Sequence, residues 1–167
     1  CAGCYKEALK EITTTMLPSK ISNEILNTLK RNLPALLLFS LILLAGLLTF
    51  RQYGESWDEN LLQIYAGQSI ESYSTWAQKG EVEFEHDNLK HYGPVYAMGV
   101  FVLKNFLGIF IQLPEADLRH LVYFLTYFAG VAAFYSIARR WLDELSSAGA
   151  TLFFVTQPLF WGHAFIN

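Results

Sequence analysis

The residues from Leu33 to Phe50 form an unbroken run of 18 with no charged side chain and a single glycine. As a helix rising about 1.5 Å per residue, the run is roughly 27 Å long, close to the hydrocarbon thickness of a bilayer. No other feature restricts the fold as strongly. A free-standing stretch of this kind must be buried in a large core or in lipid. The chain has 167 residues, of which only 16% are charged while 53% are hydrophobic and 16% aromatic. That is too little charge to clothe a soluble domain of this size. The reading is an integral membrane protein of all-α class. Pro34 suits the first turn of the first span, where its missing N–H costs no hydrogen bond.

Two more uncharged runs follow, 121–138 and 145–166. The expected architecture is three transmembrane helices, over 33–50, 121–138 and 145–166, with Pro158 kinking the last. Charge sets the orientation. Residues 1–32 hold five basic and three acidic side chains, whereas 51–119 hold ten acidic and five basic. Basic flanks stay in the cytoplasm, which places 1–32 inside, the long loop 51–119 outside, and Arg139–Arg140 inside again. The segment Pro94–Leu113 is long enough to span, but Lys104 stands at its middle. A central lysine costs roughly 2.5–3.5 kcal/mol on insertion. The segment is therefore expected to be re-entrant or interfacial, which also returns Arg139 and Arg140 to the cytoplasm.

The outer loop opens with Gly54-Glu55-Ser56-Trp57-Asp58-Glu59-Asn60. Ser56 and Glu59 have capping-box spacing, which predicts a helix with Ser56 as N-cap and Glu59 at N3. Asp58 then falls in the first turn, where free N–H groups and the helix dipole favour its ionised form. An ionised carboxylate at a membrane face can serve as a general base, and it can equally be one more helix-start acid. From Glu59 to Gln78 the residues Leu62, Tyr65, Ala66, Ile70, Tyr73, Trp76 and Ala77 recur at helical spacing, with Gln63, Gln68, Glu71, Ser72 and Ser74 opposite. Such a stripe either packs on protein or lies at headgroup level. Lys79-Gly80 ends that helix. His86 and His91, with Glu85 nearby, have the ligand chemistry for a divalent cation, though loop spacing alone does not define a site. Cys1 and Cys4 make half a zinc site with no second half. The chain reads as the N-terminal fragment of a longer protein, with Met16 the expected native start and residues 1–15 upstream of it.

Four elements in this order carry a family resemblance: Trp57-Asp58-Glu59 beyond the first span, His91-Tyr92-Gly93-Pro94-Val95-Tyr96 opening the next apolar segment, Leu118-Arg119 leading into a span that ends Ala138-Arg139-Arg140, and Pro158-Leu159-Phe160-Trp161-Gly162-His163. Together they resemble the start of a GT-C membrane glycosyltransferase of glycosyltransferase family 39. That group includes protein O-mannosyltransferases, Rgt-like enzymes and aminoarabinose transferases. The resemblance covers roughly residues 30–167. Where many relatives have His-Pro-Pro, this chain has His91-Tyr92-Gly93-Pro94.

The resemblance implies transfer of a sugar from a polyprenyl-phosphate donor to an acceptor hydroxyl on a glycan, lipid or protein, with inversion, at the outer face of a bacterial inner membrane. It makes Asp58 the catalytic carboxylate with Glu59 beside it. Membrane lipid and the lipid-linked donor are the implied partners, and nucleic acid is not among them. Lys90, His91, Tyr92 and Arg119 are substrate-binding candidates, with Lys104 a further cation for the phosphate. Ordinary interfacial snorkelling accounts for the cations as well. The competing reading is a non-catalytic polytopic protein, a transporter part or a scaffold. Transporters commonly carry ionisable groups inside their spans, and these three spans contain no Asp, Glu, Lys or Arg.

Overall fold

The computed structural model describes residues 23–80 and 93–166, except 25, 29 and 31. It is all-helical over those residues. Helix α1 covers Leu33–Thr49 and tightens into a 3₁₀ turn over Phe50–Gln52. Pro34 lies in its first turn, as expected. At the other end the Thr49 hydroxyl donates to the Ala45 carbonyl at 2.8 Å and Gln52 Nε2 to the Leu48 carbonyl at 3.4 Å. Of the last-turn carbonyls, that of Gly46 accepts from the Phe50 N–H and the Thr49 hydroxyl, and that of Leu48 from Gln52. Helix α2, Glu59–Lys79, stops at Gly80, whose φ of 74° is the left-handed conformation glycine tolerates best.

Helix α3 spans Val95–Phe110 and α4 spans Glu115–Ala138. The two run antiparallel. Lys104 pairs with Glu115, Gly108 approaches Leu118, and Val100 packs with Val122 and Tyr123. Helix α4 starts six residues before the apolar run because Pro114, at φ −52° and ψ 148°, ends an extended connector and Glu115 and Asp117 occupy the first turn. Acids there complement the helix dipole. The start of α4 meets the end of α1: Arg51 Nε lies 3.0 Å from Asp117, and Phe50 packs with Leu121. The segment before α4 therefore does not carry the chain to the far end of α1.

The third expected span is not one helix. Residues 145–166 divide into α5, Glu144–Val155, and the short α6, Pro158–His163. Pro158 removes an N–H, and Gln157 before it is driven to ψ 121°. With 12 residues, α5 is about 18 Å long, well short of a bilayer. Only α1 with its 3₁₀ turn and α4, among the described residues, are long and apolar enough to cross.

Helices α1, α4 and α5 pack around Leu38, Ile42, Val131, Ala148 and Val155. Nearer the α4 start, Phe124 is wholly buried, with its ring against Gly46 and stacked at 5.4 Å on Phe165. At Gly46 the Phe124 ring of α4 fills the space beside the α1 backbone, and any side chain there would overlap it.

Candidate functional site

Among the described residues of 51–119, Glu55, Glu59, Lys104, Glu115, Asp117 and Arg119 collect around the first turns of α2 and α4. Asp58, not Ser56, holds the N-cap position of α2, and its carboxylate makes no capping hydrogen bond. Glu59 consequently stands at the first helical position instead of the third. The expected capping box is replaced by a different arrangement. The Glu59 side chain turns into the protein, where it is 0% exposed. Its Oε2 accepts from Arg119 Nη2 at 3.4 Å and lies 3.2 Å from His120 Nε2. Arg119, itself only 4% exposed, also donates from Nη2 to Glu55 Oε1 at 2.5 Å. Capping would have left Glu59 at the surface; two partners on α4 draw it inward, because a buried carboxylate is tolerated only when paired.

Adjacent carboxylates thus have different circumstances. Asp58 is exposed, as is Trp57, at 96%. Glu59 is sealed between helices and cannot meet a substrate from solvent without movement of α2. Four atoms of this cluster are buried without a hydrogen-bond partner: Glu59 Oε1, Gln63 Oε1, Arg119 Nε and His120 Nδ1.

The remaining candidates are placed as follows. Arg119 is committed to Glu55 and Glu59, so its charge is largely compensated. Lys104 is 4% exposed, paired with Glu115, and lies 5.2 Å from the centre of the Phe101 ring. Pairing with Glu115 at the protein rim, together with the Phe101 ring, is how the helix accommodates a central lysine. Glu85, His86, Lys90, His91 and Tyr92 lie outside the described residues. Among the described residues no three His, Cys, Asp or Glu side chains are grouped as metal ligands would be.

Sequence reasoning assigned Glu55 and His120 no role in the site and set Gln63 only on the polar face of its helix. The available signal was positional: Arg119-His120 is a polar pair at the mouth of an apolar run, and Gln63 lies one turn beyond Glu59. Helix α2 is also rotated from the expected stripe. Tyr65 and Ala66 are buried, but so are Glu59, Gln63, Ser69 and Ser72, whereas Leu61, Ile64, Tyr73 and Trp76 are exposed. Between α2 and α3 an apolar groove of about 560 Å³ is lined by Tyr73, Val95, Met98, Gly99, Val102 and Leu103. Comparison with protein-family models, with curated proteins and with solved structures returns no significant match to this chain.

Proposed function

We propose that the chain is the N-terminal part of a membrane glycosyltransferase of GT-C type, with Asp58 as its catalytic base. The supporting observation is the contrast at the start of α2: Glu59 is locked by Arg119 and His120, whereas Asp58 next to it is solvent-facing and spent on no cap. A base must reach its substrate's proton and must also be held still. Asp58 supplies the reach, and Glu59 supplies the fixed backbone from which it projects. In the proposed step the acceptor hydroxyl gives its proton to Asp58 while its oxygen bonds to the anomeric carbon. The bond from that carbon to the phosphate oxygen breaks, and polyprenyl phosphate leaves with the electron pair. The configuration inverts.

The membrane setting is supported by the surface. Leucines of α1, Tyr73 and Trp76 of α2, and Tyr96, Phe106 and Phe110 of α3 are exposed, while Glu59, Gln63, Ser69 and Ser72 of α2 are buried. Orientation follows from the charge distribution, with the start of α2 outside and Arg139–Arg140 in the cytoplasm. The competing reading, a non-catalytic scaffold, draws on the same cluster: Glu59–Arg119–His120 would serve only to pin α2 to α4. The two readings differ at Asp58. In the full-length protein, Asp58→Asn should cut transfer from a labelled polyprenyl-phosphate sugar by about 10²–10⁴-fold. Expression and donor binding should stay near normal, since asparagine keeps the size and the N-cap preference. Activity within a few-fold of wild type would end the catalytic assignment.

A further inference from the structure

Charge along α4 is confined to two levels. At the first level, Arg51 pairs with Asp117, Lys104 with Glu115, and Arg119 with Glu55 and Glu59. At the second, Arg139 Nε lies 3.1 Å from Glu144, whose other oxygen accepts from the Tyr135 hydroxyl at 2.6 Å. No charged residue occurs between His120 and Arg139, and none between Arg31 and Arg51 of the antiparallel α1. Arg119 and Arg139 stand twenty residues apart on one helix, about 30 Å along its axis, which equals the hydrocarbon thickness of a bilayer. The surface of α1 and α4 between the two levels is mainly apolar, and the Thr126 and Ser136 hydroxyls on it donate to carbonyls of their own helix. Leu37, Leu41, Leu44 and Leu48 of α1, Leu125 of α4 and Phe153 of α5 are all exposed.

The second level has an outward-facing part. Arg139 is used internally, by Glu144 and by the Leu142 carbonyl, to which its Nη1 donates at 2.9 Å. The next residue, Arg140, projects from the protein, and Trp141 is 77% exposed. An indole beside a guanidinium, just past the end of an apolar helix, matches the boundary between acyl chains and lipid phosphate. We infer that the hydrocarbon of the bilayer lies between the Arg119 and Arg139 levels, and that Arg140 and Trp141 dock into the anionic headgroup layer of the second face. Arg140 supplies the charge for a lipid phosphate, and Trp141 supplies the apolar body with one N–H donor. The inference goes beyond sugar transfer and stands whether or not Asp58 is a base.

Spin labels test the register in the full-length protein, with Cys1 and Cys4 changed to serine and the protein reconstituted in vesicles containing phosphatidylglycerol. Labels go at Leu125→Cys, Gly130→Cys, Ile137→Cys and Trp141→Cys. Gly130 is exposed with no neighbour that an added side chain would strike, and the other three side chains are exposed as well. The ratio of oxygen to water-soluble nickel accessibility should peak at 130, fall at 125 and 137, and reach its headgroup value at 141. A peak at 125 or 137, or water-like accessibility at all four sites, would overturn the register. Arg140→Gln should lower the preference for phosphatidylglycerol over phosphatidylcholine in the boundary lipid by about five-fold. An unchanged preference, with the native helical content retained, would overturn the headgroup contact.

Discussion

Replacing Arg119 by methionine tests whether the start of α2 is held by a buried ion pair. The substitution keeps an unbranched chain of similar length and removes the charge. It leaves Glu59, which is 0% exposed and receives Arg119 Nη2 at 3.4 Å, with His120 Nε2 at 3.2 Å as its remaining partner. At an effective dielectric of about 20, unit charges at that distance attract by roughly 5 kcal/mol gross. The contact with Glu55 adds about 1 kcal/mol or less, because Glu55 is exposed and screened. Removing one member of a buried pair costs about 3–5 kcal/mol, since the buried carboxylate loses its guanidinium partner without regaining water. For a chain of this size that is a fall in Tm of about 6–20 °C.

The partner substitution, Glu59→Leu, should also destabilise, by leaving the Arg119 guanidinium in apolar surroundings with only Glu55 at the rim. The double variant removes both desolvation penalties and should recover most of the loss, because well-packed apolar residues often replace a buried pair at little cost. Thermal unfolding in nanodiscs, followed by tryptophan fluorescence, gives all four corners of the cycle. Additive single effects, or a shift under about 2 °C for Arg119→Met, would show that the pair does not hold α2.

Gly46→Ala should destabilise by about 1–3 kcal/mol, because the new methyl overlaps the Phe124 ring, which Phe165 blocks from retreating. Phe124→Leu in the same chain should relieve part of that loss, and equal Tm values for wild type and Gly46→Ala would refute the close approach. Lys104→Met should change stability by no more than about 1 kcal/mol, since its partner Glu115 is solvent-exposed and can be hydrated alone; a loss several times larger in a denaturant titration would contradict this. At the α4–α5 turn, the Ser146 side chain and its backbone N–H hold the Asp143 carboxyl below the usual range. A depressed folded-state value means that this contribution is present above the unfolded pKa and lost as pH falls through the folded one. The protection of the Ser146 amide from hydrogen exchange, measured against the intrinsic rate at each pH, should therefore fall on acidification in wild type and show no such pH step in Asp143→Asn.

Composition and the uncharged runs determined the all-helical class and the two long apolar helices. They also located the ends of α1 and α2, because Pro34 and Gly80 act through local backbone geometry. Such signals need no partner. Where the outcome depended on a neighbour, the sequence was not enough. Glu59 has the spacing for a capping box, but Arg119 and His120, some sixty residues away, offer a buried carboxylate more than a surface cap does. The face that α2 buries was likewise decided by contact, since periodicity shows that two faces differ and not which one meets protein. Pro158 announced a bend; the extended Gln157 before it makes a full break, and α4 then packs on both pieces, through Val131 with Val155 and Tyr127 with Trp161. Lys104 looked costly inside an apolar segment, and the turn at 111–114 supplied its counter-charge by folding Glu115 back beside it. Long-range pairing of charges is invisible along the chain because its energy depends on which groups share a desolvated space, and tertiary structure alone makes that choice.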